Sequence, residues 1–349
     1  MDPQMKDKER SLLLSRKNMM IRIEGGVLAA PMAGALEPPY RKVLHFNGCP
    51  FSFTEMIGSR GLVEETGKTL EIASWDQKWG RCGAQLLGSD PEYLFEASVK
   101  LEKMGFPLLD LNSGCPKRKV LRSGGGGALL KDPDLLLRCL SSILDATGIP
   151  VGIKIRAGWR EYDRKAFTSL LKDIEGSGVS YIAIHPRTVV QGFSGEADHG
   201  ITELASDSVD VPVIGSGDVM NRDDADEILQ RGISGVMVGR ALLGDPLWFK
   251  NNSPGPNRQS DEDGDPMVER LELAVKHLGE NVMFYGERAG VVGFRKHLSW
   301  YLKGIRGKGR YLEEAYSIKR APELERFIYD IIHDLDRDIA PTISHMANN

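Results

Sequence analysis

The chain has 349 residues, with 45 Lys and Arg against 49 Asp and Glu, and its formal net charge is −4 at pH 7. This length suits one large domain with a smaller one, and the charge excludes a global positive field for nucleic acid while leaving a local basic surface open. The four cysteines are scattered without a CxxC pair, and no apolar run approaches about 18 residues. We therefore expect a cytoplasmic protein without a disulfide framework, a metal site or a membrane span.

The first 20 residues mix charged side chains with one short apolar run, and we expect an N-terminal extension over residues 1–20. Short apolar runs then alternate with helical patterns, some of which begin at an Asp-Pro pair, as at Asp90 and Asp132. Eight alternations in roughly 230 residues predict an α/β fold, a (β/α)8 TIM barrel over residues 21–250. An open doubly wound sheet is disfavoured, because no G-x-G-x-x-G turn follows the first run. The predicted strands are Val27–Ala30, Phe53–Ile57, Ala84–Leu87, Pro107–Leu111, Val151–Ile155, Tyr181–Ile184, Val211–Ile214 and Gly235–Val238.

A second part of the chain follows the predicted barrel. Residues 251–265 are rich in Pro, Gly, Asn and Asp, which is typical of a linker. Apolar residues then recur at helical spacing and predict a small C-terminal helical bundle over residues 266–349. Between Gly286 and Arg320 there are nine Lys and Arg against three Glu. This excess is either a basic face for RNA or a solvated helix surface.

A lone cysteine follows the fourth predicted strand in the turn Asn112-Ser113-Gly114-Cys115-Pro116. Reacting groups of TIM barrels lie at the C-terminal ends of strands, so Cys115 is a candidate proton donor or nucleophile. The alternative is a buried structural thiol, which is the usual fate of a free cysteine. The glycine run Gly124 to Gly127 behind it is either a flexible turn or a loop that closes over substrate.

Three more predicted strands carry unusual polar residues. Gln85 lies inside the third strand, Lys154 and Arg156 alternate on the fifth, and His185 ends the sixth. Alternation places Lys154 and Arg156 on one side of their strand. Gln85 and Lys154 can face a flat polar heterocycle, and a cation there stabilises a reduced flavin ring. The alternatives are an inward structural pair for Lys154 and Arg156, and a buried, hydrogen-bonded core histidine for His185.

The loops after the last two strands carry a glycine each. Ser216, Gly217 and Asp218 follow the seventh strand, and Gly239 and Arg240 follow the eighth. Loops at these two positions form the usual phosphate site of a TIM barrel. The glycines allow close backbone approach, and the guanidinium of Arg240 supplies a fork of donors for phosphate oxygens.

Taken together and in order, these motifs resemble those of the tRNA-dihydrouridine synthases. The resemblance covers roughly Gly26 to Gly304, and several motifs from separate strands agree. The matching motifs are Ala30-Pro31-Met32-Ala33-Gly34, Asn112-Ser113-Gly114-Cys115-Pro116, Gly126-Gly127-Ala128-Leu129-Leu130, Lys154-Ile155-Arg156, His185-Pro186-Arg187-Thr188, Gly217-Asp218, Gly239-Arg240 and Arg295-Lys296-His297-Leu298 with Trp300-Tyr301.

The resemblance implies an FMN enzyme that reduces the C5–C6 bond of uridine in tRNA with NADPH or NADH. Hydride would pass to C6 and a proton to C5, with Cys115 as the general acid. Asn112, Arg156 and Arg187 would bind the substrate. The residues implied at the cofactor are Pro31, Met32 and Ala33 along the flavin, Gln85 and Lys154 at its ring edge, His185 beside it, and Ser216, Gly217, Asp218, Gly239 and Arg240 at its phosphate. The helical domain would bind tRNA, and we expect a monomer in a one-to-one complex.

Two positions depart from the family pattern. Ser216 stands where the family usually has Asn, and Ser113 replaces a commonly bulky residue, which would widen the uracil pocket. Trp300 and Tyr301 are expected in the core. One alternative is a flavoprotein similar to the dihydroorotate or dihydropyrimidine dehydrogenases, acting on free pyrimidines; the His185 to Thr188 motif and the basic helical domain oppose it. A non-catalytic RNA-binding protein is the other alternative. Which uridine is modified is not encoded in any of these motifs.

Overall fold

The computed structural model describes residues 11–252 and 265–346, with side chains described up to residue 335. Eight parallel strands, β3 to β10, form one sheet in the order β3-β10-β9-β8-β7-β6-β5-β4. The sheet closes where the Ala29 N–H donates to the carbonyl oxygen of Phe51 at 2.9 Å. This closure confirms the predicted (β/α)8 barrel. The strands are β3 Val27–Ala29, β4 Ser52–Gly58, β5 Cys82–Leu87, β6 Leu109–Ser113, β7 Val151–Arg156, β8 Tyr181–His185, β9 Val213–Ser216 and β10 Gly235–Val238.

Several of the helices between the strands begin at a capping side chain. The Asp90 carboxylate accepts the Glu92 N–H at 3.0 Å, and the Asp132 carboxylate accepts the Leu135 N–H at 2.9 Å. The barrel helices are α1 Pro38–Phe46, α2 Ser59–Val63, α3 Gly67–Ala73, α4 Pro91–Lys103, α5 Arg118–Arg122, α6 Pro133–Ala146, α7 Arg164–Gly176, α8 His199–Ser208, α9 Arg222–Gln230 and α10 Trp248–Asn251, with 3₁₀ turns at Gln77–Trp79, Gly126–Lys131 and Arg240–Leu242.

A hairpin that the sequence analysis did not predict closes the N-terminal end of the barrel. Its strands are β1 (Ser11–Arg16) and β2 (Met19–Glu24), and they pair antiparallel on both sides of the expected boundary at residue 20. One face of the hairpin is buried in the same apolar cluster as side chains inside the barrel. The hairpin contributes Leu12, Leu14, Ile21 and Ile23, and the strands and loops contribute Leu28, Phe51, Phe53, Leu108, Tyr181, Ala183, Ile214 and Met237.

Within the part of the chain that the structure describes, four helices follow the barrel: α11 (Pro266–Tyr285), α12 (Glu287–Tyr301), α13 (Lys308–Ser317) and α14 (Ala321–Met346). They share one apolar cluster with the barrel, in which Tyr40 and Trp248 pack with Phe294 and Leu298. Most of the predicted linker, 253–264, and the last residues, 347–349, lie outside the described residues. Within the described ranges, no helix is both long and apolar enough to cross a membrane.

Candidate active site

A cavity of about 380 Å³ opens at the C-terminal ends of the barrel strands. Most of the residues predicted for a site line it together, although they come from six different strand ends. They are Pro31, Met32, Ala33, Asn112, Cys115, Lys154, Arg156, His185, Ser216, Gly217, Asp218, Gly239 and Arg240. Gln85 and Arg187 do not line the cavity, and both side chains are buried.

Cys115 lies in a turn that its neighbours hold tightly. The Asn112 Oδ1 atom accepts the N–H of Gly114 at 3.2 Å and the N–H of Cys115 at 3.0 Å. The Gly127 N–H donates to the Cys115 carbonyl at 3.1 Å, and a Cβ on Gly126 would lie 3.0 Å from the Cys115 Cβ. The glycine run is therefore packed against the cysteine. Burial raises the pKa of the Cys115 thiol, so the group is protonated at neutral pH.

A chain of buried hydrogen bonds runs beneath this turn. The Tyr181 hydroxyl donates to Asp110 Oδ1 at 2.7 Å, and Gln85 Nε2 donates to Asp110 Oδ2 at 2.7 Å. Asn112 Nδ2 in turn donates to Gln85 Oε1 at 2.8 Å. The Gln85 amide is thus engaged by Asp110 and Asn112, and its contact with a flavin ring edge stays a prediction.

Two charged groups of opposite sign lie close together inside the barrel, Lys154 at the cavity and Asp110 beneath it. Burial lowers the pKa of Lys154 to about 8, although the Asp110 carboxylate acts in the opposite direction. Burial likewise raises the pKa of Asp110 to about 6. Each charge favours the ionised form of the other. Strand register explains their proximity, because Asp110 pairs across β6 and β7 with Gly152, two residues before Lys154 on the same face of β7.

Arg156 connects the cysteine turn to the loop that follows β8. Its Nε donates to the Gly114 carbonyl at 2.8 Å, and its Nη1 donates to the carbonyls of Thr188 at 2.9 Å and Gly192 at 2.6 Å. The same side chain lines the cavity. Arg156 thus holds two loops in fixed positions at the edge of the site.

His185 is neutral in this surrounding. Burial, followed by the charges of Lys154 and Arg156, lowers the pKa of His185 to about 2. Its Nε2 lies 3.1 Å from Arg187 Nη1, which is a donor without acceptor capacity, so the ring proton resides on Nδ1. His185 can therefore offer one N–H donor without charge.

Asp218 is held in place by two arginines. Arg187 binds it through Nη1–Oδ1 at 3.0 Å and Nη2–Oδ2 at 2.6 Å, and Arg240 Nη2 reaches Oδ1 at 2.7 Å. Burial raises the pKa of Asp218, but the hydrogen bonds from Arg187 and Ala197 outweigh it and hold the pKa below its usual range. Arg187, at 2% exposure, binds Asp218 and does not reach the cavity surface.

The end of the cavity near Arg240 is rich in hydrogen-bond donors. Gly217 has φ +121°, and a Cβ there would lie 3.1 Å from His185 Nε2, so only glycine fits without displacement. Ser216 and Gly239 line the same end, and the Arg240 side chain is 48% exposed. This end can accept a small anion such as a phosphate group.

The sequence also matches proteins whose family is known. The family described as Dihydrouridine synthase (Dus) matches residues 27–334. A probable tRNA-dihydrouridine synthase of Rickettsia conorii is 34% identical over 289 residues, which is 82% of this chain and 86% of that relative. The tRNA-dihydrouridine synthase B of Pasteurella multocida is 29% identical over 326 residues, 92% of this chain and 98% of that relative. The corresponding protein of Pseudomonas aeruginosa is 31% identical over 282 residues, 80% of this chain and 85% of that relative. The chain belongs to the dihydrouridine synthase family.

The two departures from the dihydrouridine synthase pattern lie in different surroundings. Ser216 lines the cavity at its donor-rich end. Ser113 is fully buried, does not line the cavity, and its hydroxyl has no hydrogen-bond partner among the described residues. Alternation along β6 accounts for this, since Asp110 and Asn112 occupy the opposite face of the strand.

Sequence reasoning missed three residues at this dihydrouridine synthase site. Asp110 accepts two hydrogen bonds at the start of the buried chain. A charged residue within an apolar strand is the sequence feature that could have identified it. Phe193 is 57% exposed, with its ring centroid 5.3 Å from Arg156 Cζ and 5.4 Å from Arg240 Cζ. Trp300 reaches the cavity from α12, whereas its neighbour Tyr301 is buried as expected.

Trp300 is placed by a contact between the two parts of the molecule. Glu37 Oε1 accepts from Lys296 Nζ and from His297 Nε2, both at 2.7 Å, and the Glu37 side chain is buried. The His297 ring meets the Trp300 ring edge-on at 5.0 Å. The helical part therefore completes one wall of the cavity.

Two basic surfaces border the open end of the barrel. The first comprises Lys117 and helix α5, whose cationic side chains Arg118, Lys119 and Arg122 are exposed and form no ion pair with any described residue. The second follows α12, where Lys303 and Arg306 are exposed. We call them the barrel basic surface and the helical basic surface.

Proposed function

We propose that the protein reduces the C5–C6 double bond of uridines in tRNA, with FMN as bound cofactor and NADPH or NADH as reductant. The observation that carries this proposal is the single cavity that joins the Cys115 thiol and Asn112 to the donor-rich end at Arg240. Family membership supports reduction to dihydrouridine, and the relatives' names supply tRNA as the substrate class.

The residues present fit FMN. Pro31, Met32 and Ala33 offer a mainly apolar wall, and Lys154 offers a cation beside it. The residues that would hold the phosphate are Ser216, Gly217, Asp218, Gly239 and Arg240. Asp218 would act by orienting the Arg240 guanidinium. Bound reduced FMN would supply a hydride to C6 of uracil.

Cys115 then supplies the proton. Its raised pKa keeps the thiol protonated at neutral pH, so it can donate to C5 as negative charge develops on the base. Arg156 fixes the turn through a hydrogen bond to the Gly114 carbonyl, which keeps the Cys115 thiol in position at the cavity. Lys154 and the neutral imidazole of His185 donate hydrogen bonds to acceptor atoms of the bound rings. Lys154 also counters the negative charge that develops on the base.

Arg187 contributes to substrate binding indirectly. Its guanidinium holds Asp218 and donates to the carbonyls of Ser194 and Gly195, which directly follow the exposed Phe193. We assign Arg156 a direct role at the substrate and Arg187 this supporting one.

The target uridine must leave the tRNA stack to enter the cavity, which costs a few kcal/mol. Contacts to phosphates elsewhere supply the compensating affinity. The helical domain, residues 266–349, carries the helical basic surface, and the catalytic barrel, residues 21–250, carries the other. Both surfaces border the open end, so one tRNA can reach them while its target base is bound.

The purified protein tests this proposal directly. We expect a yellow protein whose released flavin is FMN, and NADPH or NADH oxidation that depends on unmodified tRNA and yields dihydrouridine. Oxidation with free uracil or dihydroorotate but not tRNA would favour a free-pyrimidine enzyme instead. A colourless protein that binds tRNA without turnover would favour a binding protein. Mapping dihydrouridine in tRNA from a deletion strain identifies the position modified.

A further inference from the structure

We propose that Asp110, Gln85 and Asn112 form a directional hydrogen-bond chain that makes Asn112 a pure donor toward the cavity, so that the site selects the uracil O4 carbonyl over the cytosine N4 amino group. This inference rests on the proposed function, because it concerns how the target base is read. None of the three residues needs to move for it to operate.

The direction of the chain begins at Asp110. An ionised carboxylate accepts hydrogen bonds and donates none. Its two oxygens take the Tyr181 hydroxyl and the Gln85 amide, each at 2.7 Å. Gln85 must therefore turn its NH₂ group to Asp110, which leaves Oε1 as the atom that faces Asn112.

Asn112 is fixed from both sides. Its Nδ2 donates to Gln85 Oε1 at 2.8 Å, and its Oδ1 accepts the backbone N–H groups of Gly114 and Cys115. A carbonyl oxygen has two lone pairs, and both are used here. The second hydrogen on Nδ2 is what Asn112 retains for a ligand, and Asn112 lines the cavity.

The neighbouring thiol indicates which part of the base meets this donor. Cys115 would protonate C5, and Asn112 bonds directly to the Cys115 backbone. The ring atom next to C5 that carries a polar group is C4. Uracil has an accepting oxygen there, whereas cytosine has a donating amino group that would meet the Asn112 donor unpaired. Negative charge also develops on O4 when hydride adds at C6, so the same contact strengthens during the reaction.

Exchanging two residues reverses the chain without changing its composition or net charge. In the double variant Asp110→Asn and Asn112→Asp, the amide at position 110 can donate to Gln85, which can then donate to the carboxylate at position 112. That carboxylate still accepts the turn N–H groups and presents an acceptor to the cavity. Strand register keeps the new charge beside Lys154.

The experiment titrates flavin-loaded protein with uridine 5′-monophosphate and with cytidine 5′-monophosphate, following flavin absorbance. We expect wild type to prefer the uridine nucleotide about 100-fold, since the cytidine nucleotide would leave the buried Asn112 donor unpaired. Asn112→Asp alone should lose this preference, and the double variant should prefer cytidine. Asp110→Asn alone should weaken the preference, because an amide at position 110 no longer fixes the direction of the Gln85 amide. Tyr181→Phe is the matched control, because it removes one bond to Asp110 without reversing the chain, and its preference should equal that of wild type.

Two results would overturn the inference: an unchanged preference in the double variant, or an equal preference in Asn112→Asp and the double variant. If the double variant does not fold, Asn112→Ala decides, since loss of the amide must bring the ratio of the two dissociation constants near one. Failure of the proposed function has a different signature, namely a wild-type protein that forms no dihydrouridine in tRNA.

Discussion

The two ends of the barrel are built from the same eight strands but differ in chemistry. At the N-terminal end, Leu14 and Ile23 of the hairpin pack with Phe51 and Phe53 in an apolar cluster. At the C-terminal end, the strands carry groups such as Lys154 and His185 into a cavity. Burial of apolar side chains at the N-terminal end stabilises the fold, whereas desolvation of charged groups at the C-terminal end destabilises it.

The difference is visible along single strands. Strand β8 begins at Tyr181, whose ring lies in the apolar cluster, and ends at His185 in the cavity wall. Strand β6 begins at buried Leu109 and reaches Asn112 at the cavity. Substitutions at the closed end should therefore change stability with little effect on chemistry, and those at the open end should do the reverse.

The largest expected effect is at the open end. Cys115→Ala removes the proposed proton donor, and we expect dihydrouridine formation to fall by at least about 100-fold while bound flavin is retained. The measurement is product formation on unmodified tRNA at equal flavin content. Cys139→Ala is the control, because Cys139 is equally a free thiol but lies in the core around α6. Turnover of Cys115→Ala at the wild-type rate would remove the cysteine from the mechanism.

At the closed end, Leu14→Ala should lower the free energy of unfolding by about 2–5 kcal/mol, because it leaves a cavity beneath the barrel. Chemical denaturation measures the change, and turnover per folded molecule should stay the same. Leu13→Ala is matched in chemistry, but Leu13 is 48% exposed and should change stability by less than about 0.5 kcal/mol. Equal effects of the two substitutions would mean that the hairpin does not seal the barrel.

The closed end is also where the sequence was least informative. The eight barrel strands are short apolar runs, and such runs predict buried strands without knowledge of partners. The hairpin alternates buried Leu12 and Leu14 with exposed Leu13. This alternation with period two is typical of a strand with one buried face. The residues that bury that face, such as Phe51, are distant in sequence, so the segment was interpreted as an N-terminal extension.

At the open end, the sequence predicted which residues meet but not which polar groups bind one another. Barrel topology brings strand ends together, so Cys115 and Lys154 could be placed in one site. Gln85 pairs with Asp110 only through strand register, and Arg187 binds Asp218 across 31 positions of sequence. Such partnerships depend on tertiary geometry that no local pattern encodes.

The basic surfaces should affect tRNA binding more modestly than Cys115 affects chemistry. Reversing two charges on either surface, Arg118→Glu with Arg122→Glu or Lys303→Glu with Arg306→Glu, should weaken tRNA binding about tenfold at low salt and less at high salt. The reason is that fewer counterions are released from the RNA when these cations are lost. Dissociation constants over a salt series give the result, and tRNA-independent reduction of bound flavin should be unchanged.

The control for this comparison lies toward the closed end. Lys103 ends α4, which leads into the N-terminal end of β6, and Lys172 lies in the second half of α7. Both are exposed, so Lys103→Glu with Lys172→Glu makes the same change of net charge at a distance from the cavity. If this pair weakens tRNA binding as much as the other two, net charge and not position accounts for the effect.

The smallest effect concerns the attachment of the hairpin to the barrel. Arg16 Nη1 donates to the Thr147 carbonyl and Nη2 to the Leu144 carbonyl, both at 2.6 Å, at the C-terminal end of α6. Terminal carbonyls of a helix lack intrahelical donors and favour a cation, so Arg16→Ala should lower the free energy of unfolding by about 1 kcal/mol. Arg22→Ala is the control, because Arg22 pairs with Glu24 at the surface and should matter less. A loss from Arg16→Ala that matched Leu14→Ala would show that polar attachment, and not apolar burial, seals the closed end.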